Sequence, residues 1–278
     1  MSATGPSAGP FQGGADPLGG STEVRLGGST EVRLEDSTEQ RPGGSPEVAL
    51  GRGAACATVT LQVAGNTLML LPEKAIFLPE ADTLLVADAH IGKATSFRQL
   101  GVPVPAGTTD ETLSVLSRLI RRLDAKRVVF LGDFLHSARA LAPDTLAAVL
   151  RWRELHSAVE LTLVRGNHDD HAGDPPAMLD IQPFDEPVML CGLALAHHPR
   201  PMAGVFVLAG HLHPCISIGG RAHDWHRLPC FWFSAQVGVL PAFGAFTGMQ
   251  AIRVRPGERV FAAAPDRVFE LQPKPRRL

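Results

Sequence analysis

Asp88-x-His90, Gly132-Asp133, Gly166-Asn167-His168-Asp169, His197 and Gly210-His211-x-His213 follow one another along the chain. Together they supply carboxylates, imidazoles and an amide oxygen, which is the donor set for a pair of divalent metals. The chemistry such a pair serves is phosphoester hydrolysis. That reaction needs an activated water, neutralised phosphate charge and a protonated leaving group. Two metals about 3.5–4 Å apart provide the first two by bridging the nucleophile and clamping the phosphoryl oxygens. Asp88 and His90 reach one metal from a single turn, and Asp133 is a good bridging carboxylate. Asn167 offers a carbonyl oxygen, and His197, His211 and His213 offer imidazoles. So few carboxylates keep the site net positive, which suits an anionic substrate. Mixed nitrogen and oxygen ligation without thiolate favours manganese, iron or zinc over a purely magnesium site. His168 directly follows Asn167, so both cannot easily face one metal. It is better placed to protonate the leaving oxygen, with Asp169 orienting its ring and raising its pKa.

Each of these residues alone has an ordinary reading. A histidine after a strand is usually a hydrogen-bonded core or surface residue, and Gly-Asp is usually a turn. Their setting argues otherwise. Short apolar runs at 84–87, 128–131, 161–164, 193–196 and 205–209 read as buried strands, and each is followed by one of the motifs. Ligand sites in α/β sheets lie beyond the carboxyl ends of strands. Five such strands converge their terminal side chains on one crevice. Softer candidates flank the motifs: His136 for substrate contact, and Lys93 and Arg98 for phosphate. Phe231-Trp232-Phe233 has the composition of a base-stacking platform, but apolar neighbours such as Leu228 and Val237 favour core.

Around these motifs, strand and helix patterns alternate. Two strands flank Ala64-Gly65-Asn66 as a hairpin. Leu113, Leu116, Leu119, Ile120 and Leu123 share one face of a helix over 109–123, with Thr108 or Thr109 as its cap. A second helix is expected from Pro143 to about His156. From 187 onward the pattern is short strands and turns. This order predicts a two-sheet sandwich with helices outside.

The chain has 278 residues, 45% of them apolar, enough for a sizeable core. No run approaches 18 apolar residues, so no membrane span is expected. No secretory signal is expected at the N-terminus either. Cys56, Cys191, Cys215 and Cys230 show no Cys-x-x-Cys spacing and read as reduced thiols of a cytoplasmic protein. Residues 1–50 carry seven acids and three bases, against a whole-chain net of −2, which leaves the remainder at +2. That excess is too small to mark a nucleic-acid binder by field alone. An octapeptide repeats from Leu18, as 18–25, 26–33, a degraded 34–41 and 42–49. Its Gly/Ser/Glu composition predicts a disordered extension over 1–56, ahead of a single domain over 57–272 and a basic tail at 273–278.

The five motifs resemble the calcineurin-like metallophosphoesterases. The stretches 85–93, 101–109, 131–136, 166–169 and 228–233 are similar to the bacterial ligase-associated subgroup of that family. The resemblance implies a four-layer αββα sandwich, with two mixed β-sheets flanked by helices. It implies Asp88, His90 and His213 on a first metal, Asp133 as the bridge, Asn167, His197 and His211 on a second metal, and His168 as general acid. It further implies manganese dependence, DNA as substrate in a damage response, and a DNA ligase, a helicase and an exonuclease-like protein as partners. Two departures are visible. The family commonly has glycine after the fourth-motif histidine, where this chain has His198-Pro199; His197 directly ends its strand and is taken as the ligand. Asp170 stands where the subgroup leads one to expect a base.

The reading is therefore a two-metal phosphodiesterase working through a bridging hydroxide, as a DNA endonuclease. The alternatives are a phosphoesterase for nucleotides or other small phosphates, and a non-catalytic scaffold of the same fold.

Overall fold

The computed structural model describes residues 57–271, except 105, 106, 139 and 220–224. The expected disordered repeat region and the basic tail lie outside the described residues.

A first sheet begins as a meander of β1 (Val59–Val63), β2 (Asn66–Leu70), β3 (Ile76–Leu78) and β4 (Thr83–Val86). The chain then crosses through helices α1 (Lys93–Gln99) and α2 (Thr108–Leu123) to β5 (Arg127–Leu131). It continues through α3 (Pro143–Leu155) to β6 (Glu160–Val164), and through α4 (Asn167–Ala172) to β7 (Ile181–Phe184). These seven strands lie in chain order, antiparallel up to β4 and parallel from β4 to β7.

The rest of the described chain forms a second sheet. It consists of β8 (Val188–Leu190), β9 (Leu193–Ala196), β10 (Phe206–Ala209), β11 (Pro214–Gly219), β12 (Trp225–Phe233), β13 (Val237–Val239), β14 (Gln250–Ala251), β15 (Arg259–Ala263) and β16 (Val268–Leu271). Within it β9, β10 and β13 run parallel, and β8 and β12 pair antiparallel at their borders.

Side-chain alternation decides the layers. On β4, β5 and β6 one set, Leu84, Val86, Val128, Phe130, Leu161 and Leu163, packs with Leu113, Leu116, Leu119, Val149 and Trp152 of α2 and α3. The other set, Leu85, Ala87, Val129, Leu131 and Val164, packs with Leu193, Leu195, Leu208, Phe231, Phe233 and Phe261 of the second sheet. A sheet covered on both faces needs continuous apolar strands, which is why 84–87 and 128–131 show no polar alternation. Phe231 and Phe233 are 0% and 5% exposed, so they are core and not a stacking surface. Trp232, on the opposite face of β12, packs with Val207, Ala209 and Val237 and donates its Nε1–H to Glu258 at 2.9 Å.

The start of α2 and the number of helices differ from expectation. Gly107, with φ of 82°, caps α2 without any side-chain bond, whereas Thr108 begins the helix. α1 and α4 were not expected. Each is short, and Asn-His-Asp-Asp-His-Ala in α4 has no apolar period for a pattern search to find. Phe231 sits between the sheets with no exposure, so Phe231→Ala should cost about 3–5 kcal/mol. Urea unfolding would check this; a loss below about 1 kcal/mol would contradict the inter-sheet placement.

Candidate metal centre

The parallel strands of both sheets deliver the motif residues to one end of the sandwich. Asp88 and His90 follow β4, Asp133 follows β5, Asn167 opens α4 after β6, His197 follows β9, and His211 and His213 follow β10. The loops are stitched where the strands stop. His90 N–H donates to Asp133 O at 2.9 Å, Ile91 N–H to Phe134 O at 2.8 Å, and Gly210 N–H to His197 O at 3.1 Å.

These turns are tight. Asp88, His90, Asp133, His211 and His213 all adopt left-handed backbone, with φ of 52°, 44°, 49°, 72° and 46°. Each such non-glycine residue costs about 1 kcal/mol or more. Such strain persists where the surroundings over-determine it, and it collects at functional sites. The motif glycines answer a related crowding. A Cβ on Gly132 would lie 2.0 Å from His197 Nδ1, on Gly166 2.5 Å from Asp133 Oδ1, and on Gly210 2.7 Å from Asp88 Oδ2.

The donor atoms form two groups that share Asp133. In one, His90 Nε2 lies 3.3 Å from His213 Nε2 and 3.7 Å from Asp133 Oδ2, and His213 Nε2 lies 3.5 Å from Asp88 Oδ1. In the other, His197 Nε2 lies 2.9 Å from Asn167 Oδ1, 2.9 Å from His211 Nδ1 and 3.5 Å from Asp133 Oδ1. The two Asp133 oxygens thus face opposite groups. Backbone carbonyls set the tautomers. His197 Nδ1–H donates to Leu131 O at 3.1 Å and His213 Nδ1–H to Gly248 O at 3.2 Å, which turns both Nε2 lone pairs into the centre. Asp88 and Asp133 accept from the His211 and His168 amides at 2.9 and 3.0 Å.

This arrangement fits a cation. In the second group one lone pair, an amide oxygen and a carboxylate oxygen face each other across 2.9–3.5 Å, and a single shared proton cannot satisfy them all. Burial keeps the ligands in the form metals need. His90 is pushed down to about 2, first by burial and then by Lys93 and the neighbouring imidazoles. His211 is lowered by burial and by His197 and His198. Neutral imidazole is the ligating state.

His168 lies outside these groups. Its ring stands edge-on to His90 at 5.1 Å and stacks on His136 at 5.0 Å, and its Nδ1–H donates to the His136 carbonyl at 2.8 Å. That carbonyl orients His168, and this corrects the expectation for Asp169. The Asp169 carboxylate is 2% exposed and accepts the Gly166 and Leu135 amides at 3.0 and 3.2 Å. It braces the turn that presents Asn167 and His168 and does not touch the His168 ring. Burial raises it to about 6 against those amide bonds.

Among the softer candidates, His136 joins the histidine cluster and burial lowers it to about 4. Lys93 opens α1 within the field of Asp133 and Asp88, and burial lowers it. Arg98, three-quarters of a helix further on, is exposed and donates to Thr95.

Two residues with no motif around them also reach the centre. Glu186 accepts the backbone amides of both His197 and His198. Lys74 lines a cavity of about 150 Å³ beside His213 and donates to Gly244 O at 3.3 Å. Only a structure reveals either, because their contacts lie 11 and more than a hundred residues away.

The family model for calcineurin-like phosphoesterases matches residues 82–225. The crystal structure of the Pseudomonas putida nuclease MPE is 45% identical, covers 77% of this chain and all of its own, and superposes with a TM-score of 0.68. The Escherichia coli phosphoesterase Yfce matches at 14% identity over 64% of this chain and 86% of its own, with a TM-score of 0.33. No curated protein sequence matches.

Gly132→Ala should displace the His197 ring and weaken binding of one ion, while adding left-handed strain of about 1 kcal/mol. Calorimetric titration with manganese checks this; two ions bound at wild-type affinity would contradict the close approach. Lys74 gives a pH test. Burial lowers its folded pKa from the ordinary 10.5 to about 8, with Glu111 opposing. The unfolded chain therefore holds more protons between those values, and stability rises with pH across that window. Lys74→Met removes that slope, so the variant's stability advantage at pH 7.5 should shrink by pH 10. Urea melts at both pH values measure it, and an unchanged gap would refute the burial of the ammonium.

Proposed function

Because the chain belongs to the calcineurin-like phosphoesterase family, we propose that it is a two-metal phosphodiesterase cutting nucleic acid, with DNA as the substrate. The chain is a metal-dependent phosphoesterase of the α/β sandwich type. The observation that carries the finer reading is the division of Asp133 between two donor groups, Oδ2 toward His90 and Oδ1 toward His197. Asp88, His90 and His213 would hold one ion, and Asn167, His197 and His211 the other. Mixed nitrogen and oxygen donors support manganese, with iron or zinc as alternatives. When bound, two such ions supply charge for the phosphoryl oxygens and acidify an attacking water.

The protein's own groups then have separable tasks. Asp133 ties the two groups together. Asp169 and the three motif glycines hold the turns open. His168, with Nδ1–H fixed on the His136 carbonyl, has Nε2 left to carry a proton to the departing oxygen. The carbonyl also fixes the plane of the ring, so that Nε2 keeps one direction. Lys93 and His136 line the approach to His90 and are the substrate contacts of this reading.

Substrate assignment rests on likeness. The 45% identical relative is a nuclease, and it is spanned over its whole length by this chain. The same coverage supports 57–272 as the catalytic unit, with 1–56 an extension. The resemblance of 101–109 and 228–233 to the ligase-associated subgroup supports DNA repair beside a ligase, a helicase and an exonuclease-like protein. Cys191, Cys215 and Cys230, all unpaired, support a cytoplasmic site of action. No described helix is long and apolar enough to cross a membrane.

The deciding assay offers purified protein with manganese a single-stranded oligonucleotide, a duplex and an aryl phosphodiester. A nuclease cuts the oligonucleotides, and its affinity falls steeply with salt as counterions are released. Cleavage of small phosphates alone, with a flat salt response, would favour the small-substrate enzyme instead. Asp133→Asn should abolish turnover and weaken both ions; normal two-ion binding and turnover would sink the bridging role. His168→Ala should retain metal while kcat falls by roughly 10²–10⁴-fold. The fall should be larger for DNA than for nitrophenyl esters, whose leaving group departs unprotonated. Loss of a metal, or equal losses on both substrates, would refute the leaving-group role.

A further inference from the structure

His198 occupies the position where the family resemblance leads one to expect glycine, a residue with no side chain to offer. Here the side chain is held deliberately. Its Nδ1 lies 2.8 Å from Glu186 Oε1. The other oxygen, Glu186 Oε2, accepts the amides of His197 at 2.8 Å and His198 at 2.9 Å. One carboxylate therefore fixes both the turn and the ring. These contacts, against the cost of burial, hold the Glu186 carboxyl below its usual range.

The ring it fixes completes a three-histidine cluster. His197 and His198 have centroids 4.8 Å apart, His197 and His211 4.8 Å, and His198 and His211 4.7 Å. One ring nitrogen from each of the three lies within 4.8 Å of the others. The first two pairs stand near perpendicular, at 82° and 77°, so the cluster is not a stack. Three imidazole nitrogens this close together are within the span of one ion's ligand shell. Metal-bound histidines nearly always donate their other ring N–H to a carboxylate, a carbonyl or water. His197 does so to Leu131 O, and His198 has the same relation to Glu186. With Nδ1–H on the carboxylate, Nε2 is the nitrogen left with a lone pair.

We propose that His198 is an additional ligand of the second ion, oriented by Glu186, beside Asp133, Asn167, His197 and His211. This rests on reading the centre as a two-ion site. It makes the two sites unequal. The first has two imidazoles and two carboxylates, whereas the second has three imidazoles, an amide oxygen and a share of one carboxylate. More nitrogen and less negative charge shift the second site toward borderline ions such as zinc or cobalt, relative to the first. Glu186 is a positioning residue in this scheme.

The test uses the full chain stripped of metal and titrated with cobalt(II) alone, followed by calorimetry and by the visible ligand-field bands. Wild type should take two ions. His198→Ala should weaken one of them by at least 10-fold and alter the ligand-field bands of that ion alone. Glu186→Gln should weaken the same ion by about 10–100-fold, the usual effect of losing a ligand's orienting partner. Thermal melts of the metal-free variants confirm folding, and if His198→Ala does not fold, His198→Gln is read in its place. Two ions bound by the variant with wild-type affinity and spectrum would overturn the ligand role while leaving the two-ion reading intact. A wild type that takes fewer than two ions would overturn both.

Discussion

Two carboxylates, Asp88 and Asp133, lie 0% and 3% exposed at the end of a sandwich, ringed by imidazoles and backbone amides. Burying an ionised carboxylate costs several kcal/mol unless opposite charge compensates it. Neutral imidazoles cannot supply that charge, and burial holds His90 neutral. The compensation fitting this donor set is a metal cation, and the surroundings follow from that need. Ligands must approach from several directions at once, so the strands that carry them stop together and turn sharply. The turns force aspartate and histidine into left-handed backbone, and the glycines beside them keep Cβ atoms out of the crowded interior.

Much of this was legible beforehand, for identifiable reasons. Strands covered on both faces read as unbroken apolar runs, so 84–87, 128–131 and 161–164 stood out. The motif residues follow those runs directly, and the structure gathers all seven candidate ligands within one centre. α2 was legible through its leucine spacing, and α3 through Pro143 at its first turn. What stayed hidden has a common cause. α4 is built of polar site residues and earns its helical form from Asp169 and tertiary contacts, not from periodicity. Asp169 itself looks like a partner for the adjacent His168, yet a residue next in sequence on a helix points elsewhere, and its carboxylate turns to the amides of Gly166, three residues away, and Leu135, 34 residues away. Glu186 and Lys74 act through contacts that leave no local pattern.

The centre also shows how second-layer groups distribute work. Leu131 and Gly248 carbonyls set histidine tautomers, the His136 carbonyl aims His168, and Glu186 fixes two successive amides. Three of these four are backbone groups. Substituting a side chain cannot delete them, so this part of the site is robust to mutation wherever the loops hold their course. The fragile points are the glycines, where a single added carbon meets a ligand.

Assembly from two sheets has a consequence for biosynthesis. Asp88 and the His211 amide that holds it are 123 residues apart, as are His90 and His213. Contacts of such long range form late, since loop closure must precede them. During translation, a nascent chain that has completed the first sheet displays Asp88, His90, Asp133 and Asn167 but none of the later histidines. The complete donor set therefore comes together only once the second sheet has formed and docked. A truncated or half-made polypeptide thus lacks part of the donor set gathered in the folded phosphoesterase.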